Sequence, residues 1–151
     1  MIANTTQLNT PGIALSKLDG VHALTDITGF GLAGHTLELA RGAGLQAHID
    51  MAKVPLLPDV EALATQGYVT GASGRNWESY GKDVALPQNI SSAHQALLSD
   101  PQTSGGLLVC CAPEVASEVL AIFNAQGFGR AAVVGEMKAA VSTISTRLNI
   151  T

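Results

Sequence analysis

Charge is scarce in this sequence: eight Lys plus Arg and twelve Asp plus Glu among 151 residues give a formal net charge of -4. A broad nucleic-acid footprint needs clustered cations, so that class of partner is excluded, whereas a small anion held by helix ends and a metal is not. Long apolar runs are also missing, since none approaches the ~18 residues that cross a bilayer. The N-terminus MIANTTQLNT has neither a basic start nor an apolar signal core. The expectation is a soluble cytoplasmic protein without a membrane partner. Only two cysteines occur, and Cys110 and Cys111 are adjacent on an apolar run. In a strand they point to opposite faces and cannot bridge each other, so they read as buried reduced thiols. A redox pair more often reads C-x-x-C.

What is present in quantity is apolar surface, 46% of residues against 13% charged. Much of it must face inward or face another chain, and the length suits one domain. Turn signals at Pro11-Gly12 and Asp19-Gly20 follow a short helical stretch at the start. VHALTDIT, 21 to 28, reads as a strand. From Gly29 the period changes, with Phe30, Ala33, Leu37 and Ala40 at helical spacing until Gly42 and Gly44 stop it. LQAHIDMAKV, 45 to 54, reads as a second strand, and LLPDVEALATQG as a second helix opened near Pro58 and closed by Gly67. Residues 68 to 95 show no sustained period, so a long loop is expected there, holding the single Trp and both Tyr. Leu107 to Cys111 reads as a strand, and the next helix carries Pro113 and Glu114 in its first turn, the face Val115, Val119, Ile122 and Phe123, and Gly127 at its end. GRAAVVGEM and a weak strand in the tail complete a layered α/β alternation.

Two motifs carry chemistry. TDITGFGLAGH, Thr25 to His35, contains G-x-G-x-x-G at Gly29, Gly31 and Gly34 between a strand and a helix, with Asp50 following 21 residues after the first glycine. A dinucleotide-binding turn, with Asp50 on a ribose, satisfies that pattern. So does a turn whose glycines only let the strand-to-helix bend close. Asp26 weighs against a bare pyrophosphate, because its carboxylate would repel it, and favours phosphate shared with Mg²⁺, a hard ion bound by oxygen. DPQTSGGLL, Asp100 to Leu108, has glycines before a strand, so it is no Walker loop, yet its backbone N–H groups can face an anion.

TDITGFGLAGH, LLSDPQTSGGLL and GASGRNWESYG between them resemble the C-terminal domain of the bacterial selenophosphate synthetases (selenide, water dikinases), in the superfamily of aminoimidazole ribonucleotide synthetase. The likeness runs over nearly the whole chain. It implies a mixed β-sheet with helices packed on one face, and a glycine turn beside an ATP-phosphate site. It further implies a homodimeric enzyme that converts selenide, ATP and water to selenophosphate, AMP and orthophosphate. In that family an N-terminal domain supplies the reactive Cys or selenocysteine, a catalytic Lys and most of the nucleotide and metal site. The chain resembles the second domain only, to be joined to that N-terminal domain and inert when alone.

Matched residue by residue, the resemblance makes Asp26 a Mg²⁺ ligand. It puts Thr28, Gly29 and Gly31, with Thr103, Ser104, Gly105 and Gly106, at the ATP phosphates, and assigns no catalytic residue to this chain. Arg75 and Asn76 fall on a central loop expected to meet phosphate or the partner domain. His35 is expected to pack or hydrogen-bond. His48 and Asp50, two apart on one strand face, form a further possible metal pair, while His22 and His94 have no evident partners. The alternatives left open are a stand-alone anion- or nucleotide-binding regulatory module and an NAD-binding domain.

Overall fold

The longest helix organises the chain. Helix α2, Gly31–Ala43, buries Ala33, Leu37 and Ala40 on one face. Gly44 stops it in the left-handed conformation, returning its N–H to the Ala40 and Arg41 carbonyls. These relations are those of a computed structural model, which describes residues 5–140 and 146–151.

Around α2 the element order is α1 (Pro11–Leu15), β1 (Val21–Asp26), α2, β2 (Leu45–Ile49), α3 (Val60–Thr65), α4 (Gly71–Tyr80), β3 (Val84–Ala85), α5 (Ser92–Leu98), β4 (Leu107–Cys111), α6 (Ala116–Ala125), β5 (Gly135–Ala139) and β6 (Leu148–Ile150). Four strands form a mixed sheet in the order β3-β6-β2-β5, with β2 antiparallel to β5 and parallel to β6. Ala47 and Ile49 of β2, with Leu148 and Ile150 of β6, turn one face into the larger core beside α2, where Leu98, Tyr80 and Val84 also lie. β1 and β4 form a separate antiparallel ribbon, Val21 opposite Cys111 and Asp26 opposite Leu107. Its alternate residues Leu107, Val109 and Cys111 pack on a smaller core of Leu15, Val119 and Phe123. The expected mixed sheet is present, with this ribbon set apart from it.

That division removes the dinucleotide reading. A Rossmann unit needs the strands before and after the helix to lie parallel in one sheet, but β1 and β2 belong to different sheets. Asp50 is also engaged locally: it caps the turn at Met51–Lys53 by accepting from the Ala52 N–H, and it pairs with Lys53 at 3.0 Å. Strand β2 therefore ends at Ile49, short of the expected 54.

The stretch from 68 to 95 differs most from expectation, for it holds two helices. Thr70 and Ser91 cap them, accepting from the Ser73 and His94 N–H groups. In α4, Gly71 and Gly74 dilute helix propensity and hide the period. Trp77 and Tyr80 supply its anchorage, packing with the larger core. The strand expected at GRAAVVGEM starts later than the sequence suggests, since β5 begins at Gly135.

Candidate functional site

Asp26 is the last residue of β1, where the ribbon opens into two loops. It is exposed, and among the described residues its carboxylate has no hydrogen-bond or ion-pair partner. Beyond it the two chains stay zipped: the Ile27 N–H donates to the Gly106 carbonyl at 3.0 Å, and the Gln102 N–H to the Thr28 carbonyl at 2.9 Å. The loops 27–30 and 99–106 thus form one unit.

Two glycines make that contact possible. Gly31 has φ of 69°, and a β carbon there would lie 2.7 Å from the Ser99 carbonyl carbon. A β carbon on Gly105 would strike the Ile27 carbonyl. The other two have open space: nothing lies within 4 Å of a β carbon built on Gly29 or on Gly106.

Side chains brace the loops from behind. Asn76 of α4 donates from Nδ2 to the Gly29 carbonyl at 2.8 Å and to the Ser99 carbonyl at 3.0 Å, tying one loop to the other. The Tyr80 hydroxyl donates to the Phe30 carbonyl at 2.6 Å, and burial pushes this phenol up to about 12. Asp100 accepts from Thr70, Ser73 and Gln102, so the acid of the second motif is a local hub. From the other side, Asn9 donates to the Gly105 carbonyl at 3.0 Å.

With the carbonyls so used, amides remain on the outer side. Thr28, Gly29, Phe30, Thr103, Ser104 and Gly105 donate no backbone hydrogen bond to the described residues. Helix α2 starts where the first loop ends, with Phe30 at its N-cap and no side-chain cap, so the positive end of its dipole lies at that loop. A hard carboxylate oxygen at one end of a loop that carries uncapped amides is suited to a cation shared with an anion. Exposed apolar groups rim the place, with Phe30 53% exposed on the first loop and Leu8, next to Asn9, 76% exposed.

Behind the first loop His35, expected to pack or hydrogen-bond, stands at the centre of a relay whose partners the sequence did not name. Thr28 Oγ1 lies 3.1 Å from His35 Nε2, and His35 Nδ1 lies 2.8 Å from Glu38 Oε2. The ring is 7% exposed. Its signal was the spacing itself, because Glu38 sits three residues from His35 on one helix face.

The structure brings together Asp26, Thr28, Gly29, Gly31, Gly105 and Gly106, with Thr103 and Ser104 exposed on the same second loop. Asn76 joins them as a brace, while Arg75 is exposed and makes no hydrogen bond among the described residues. His48 and Asp50 do not form a metal pair: His48 Nε2 is 3.5 Å from Asn149 Nδ2, and the Lys53 ammonium lowers the Asp50 carboxyl. His94 does have a partner, Glu61, at 2.6 Å. Cys110 and Cys111 are free and only half-buried, with burial raising both thiols away from the reactive thiolate form.

The fit to Mg²⁺ is that of a partial set. No group of three or more His, Cys, Asp and Glu able to hold a metal occurs among the described residues. Mg²⁺ does not require one, since it is commonly held by one or two carboxylates plus water and substrate phosphates. Among the described residues, no helix is long and apolar enough to cross a membrane.

The chain is 64% identical over 137 residues to a selenide, water dikinase of Paraburkholderia xenovorans, covering 91% of this chain and 39% of that protein. It is 63% identical over 139 residues to one of Pseudomonas straminea, again 39% of that protein, and 48% identical over 144 residues to one of Rhizobium meliloti. The chain therefore spans about two fifths of the length of these curated relatives. Among solved structures, E. coli HypE superposes with a TM-score of 0.59 at 22% identity, over 87% of this chain and 33% of that one, a likeness of fold. Residues 4–146 match the family described as AIR synthase related protein, C-terminal domain. With that match over almost its whole length, the chain belongs to this C-terminal-domain family.

Proposed function

We propose that this chain serves as the C-terminal domain of a selenide, water dikinase, offering Asp26 as one Mg²⁺ ligand at the ATP phosphates. The observation that carries the reading is Asp26, a carboxylate left exposed and unpartnered among the described residues, where the carbonyls of Thr28, Gly29, Phe30 and Gly106 are braced. The relatives, each named selenide, water dikinase, support the activity. The rim of Phe30 and Leu8 supports an N-terminal domain docking beside it; a cytoplasmic homodimer is what the family resemblance implies for the whole protein.

Phosphoryl transfer asks mainly for positioning and for charge neutralisation. Bound at Asp26 and at ligands of the N-terminal domain, Mg²⁺ would supply the neutralising charge on the phosphate oxygens. This chain's own part is to hold the Asp26 carboxylate at a fixed height above the zipped loops. The free amides of Thr28, Gly29, Thr103, Ser104 and Gly105 can donate to phosphate, and Gly29 and Gly106 leave room for its approach. Selenide plus ATP plus water then gives selenophosphate, AMP and orthophosphate.

The test is Asp26→Asn in the full-length enzyme, read as selenide-dependent AMP release. A fall of about 100-fold or more is expected for losing a metal-held phosphate; activity near the parent's would refute the metal role. The chain alone should show no turnover, because one carboxylate binds Mg²⁺ weakly. A second reading, a stand-alone anion-binding module, draws on the free amides. Calorimetric titration of the chain with inorganic phosphate separates the two: saturable binding at micromolar concentration favours the module.

A further inference from the structure

The hydroxyl of Thr28 has one proton, and the relay behind it decides where that proton goes. A carboxylate can only accept, so Glu38, 2.8 Å from His35 Nδ1, requires the proton on that nitrogen. With the ring carrying that one proton, Nε2 is bare and the Thr28 hydroxyl donates to it across 3.1 Å. The ring has little freedom to turn away, being 7% exposed with Phe30 tilted against it at 5.8 Å between centroids. What Thr28 has left for a ligand is lone pairs alone.

The side on which those lone pairs lie also follows from the strand. Ile27 continues the ladder through Gly106, so Asp26 and Thr28, two apart, share one side, both exposed with Ile27 half-buried between them. An acceptor beside a carboxylate repels phosphate oxygen and suits an O–H donor.

We infer that His35 is a positioning residue: held by Glu38, it fixes the Thr28 hydroxyl as an acceptor on the Asp26 side, where it takes a metal-bound water in place of a phosphate oxygen. The inference rests on the reading of Asp26 as a Mg²⁺ ligand. It revises the part that Thr28 plays there, leaving its backbone amide for phosphate and giving its side chain to the hydrated ion. Mg²⁺ retains several waters when bound, so such a donor is the normal company of the ion.

Two readouts test it. On this chain labelled with ¹⁵N at histidine, long-range ¹H–¹⁵N correlation should show His35 with its proton on Nδ1, and Glu38→Ala should let the Nε2–H form appear. Glu38 has a side chain 55% exposed, so the variant keeps the fold. A parent ring protonated on Nε2, whether alone or together with Nδ1, overturns the inference. In the full-length enzyme, Thr28→Val and Glu38→Ala should raise the Mg²⁺ concentration for half-maximal AMP release by about threefold to tenfold, the loss of one hydrogen bond. The KM for ATP should stay in place, and Thr28→Ser should stay near the parent. A raised KM for ATP with unmoved Mg²⁺ dependence means that the hydroxyl serves phosphate, and the inference is wrong. The two proposals fail separately: an active Asp26→Asn enzyme removes the metal reading, whereas an inactive one with Mg²⁺ dependence unmoved in Thr28→Val and Glu38→Ala removes only this one.

Discussion

The turn from β1 into α2 and the loop before β4 each contribute two glycines to the site, and in both places the pair divides the same way. Gly31 and Gly105 are pressed against the backbone of the opposite loop, at Ser99 and at Ile27. Gly29 and Gly106 face open space. A glycine-rich motif is easily taken as one device for cradling phosphate, yet here half of it closes a backbone contact within the chain and only the other half is clear for a ligand. The loops differ in their bracing. The first is held by Tyr80 and by helix α2, while the second hangs on the Asp100 hub and on Asn9.

Substituting the inner pair should have the largest effect on stability. Gly31→Ala puts a β carbon in the left-handed region, at a cost of ~1–2 kcal/mol, and forces the Ser99 backbone away for ~1–3 more, so a loss of about 3 kcal/mol is expected. Gly105→Ala lacks the dihedral penalty, but its β carbon would stand 2.0 Å from the Ile27 carbonyl oxygen, so a loss of about 3 kcal/mol is expected there as well. Urea unfolding of this chain measures both; a loss below about 1 kcal/mol at either glycine would mean that the opposite loop yields to a methyl group there. Asn76→Ala cuts the tie to both loops and leaves two carbonyls without it, for about 1–2 kcal/mol.

Tyr80 offers a milder probe of the first loop's bracing. Its phenol is raised from 10.0 to about 12 in the folded protein, chiefly by burial. The folded state therefore keeps a proton that the unfolded chain gives up. Stability from this group is whole below about pH 10 and declines as pH rises towards 12. The urea midpoint should fall over that window, and Tyr80→Phe should flatten the fall. A parallel decline in parent and variant would assign the effect to other groups.

How much of this was legible beforehand follows physical lines. Helix α2 was readable because its apolar residues keep a clean period, and the ribbon strands because each is a short apolar and β-branched run beside turn signals. The helices α4 and α5 were not, because Gly71 and Gly74 weaken the period while the caps at Thr70 and Ser91 lie in a run of small polar residues. Asp26 and the two glycine loops stood out through their spacing. The division of labour among the glycines was hidden, since it depends on which backbone from across the chain arrives at each α carbon. The locality of Asp50 was hidden for a like reason: an acid three residues before a lysine is as easily a cap and ion pair as a ribose ligand.

The outer pair gives the smallest change in stability and the sharpest test of the comparison. Neither Gly29 nor Gly106 has a left-handed backbone, and neither would meet an atom within 4 Å through a β carbon. Gly29→Ala and Gly106→Ala should therefore leave the unfolding midpoint unchanged or raise stability by about 0.5 kcal/mol, through the unfolded chain. If their open space is where phosphate comes close to the amides, the same methyl groups should slow AMP release by the full-length enzyme, and Gly29→Val more than Gly29→Ala. Stable variants with undiminished activity would make all four glycines scaffolding. Stable variants with lost activity would confine ligand approach to the two positions that the opposing loop leaves clear.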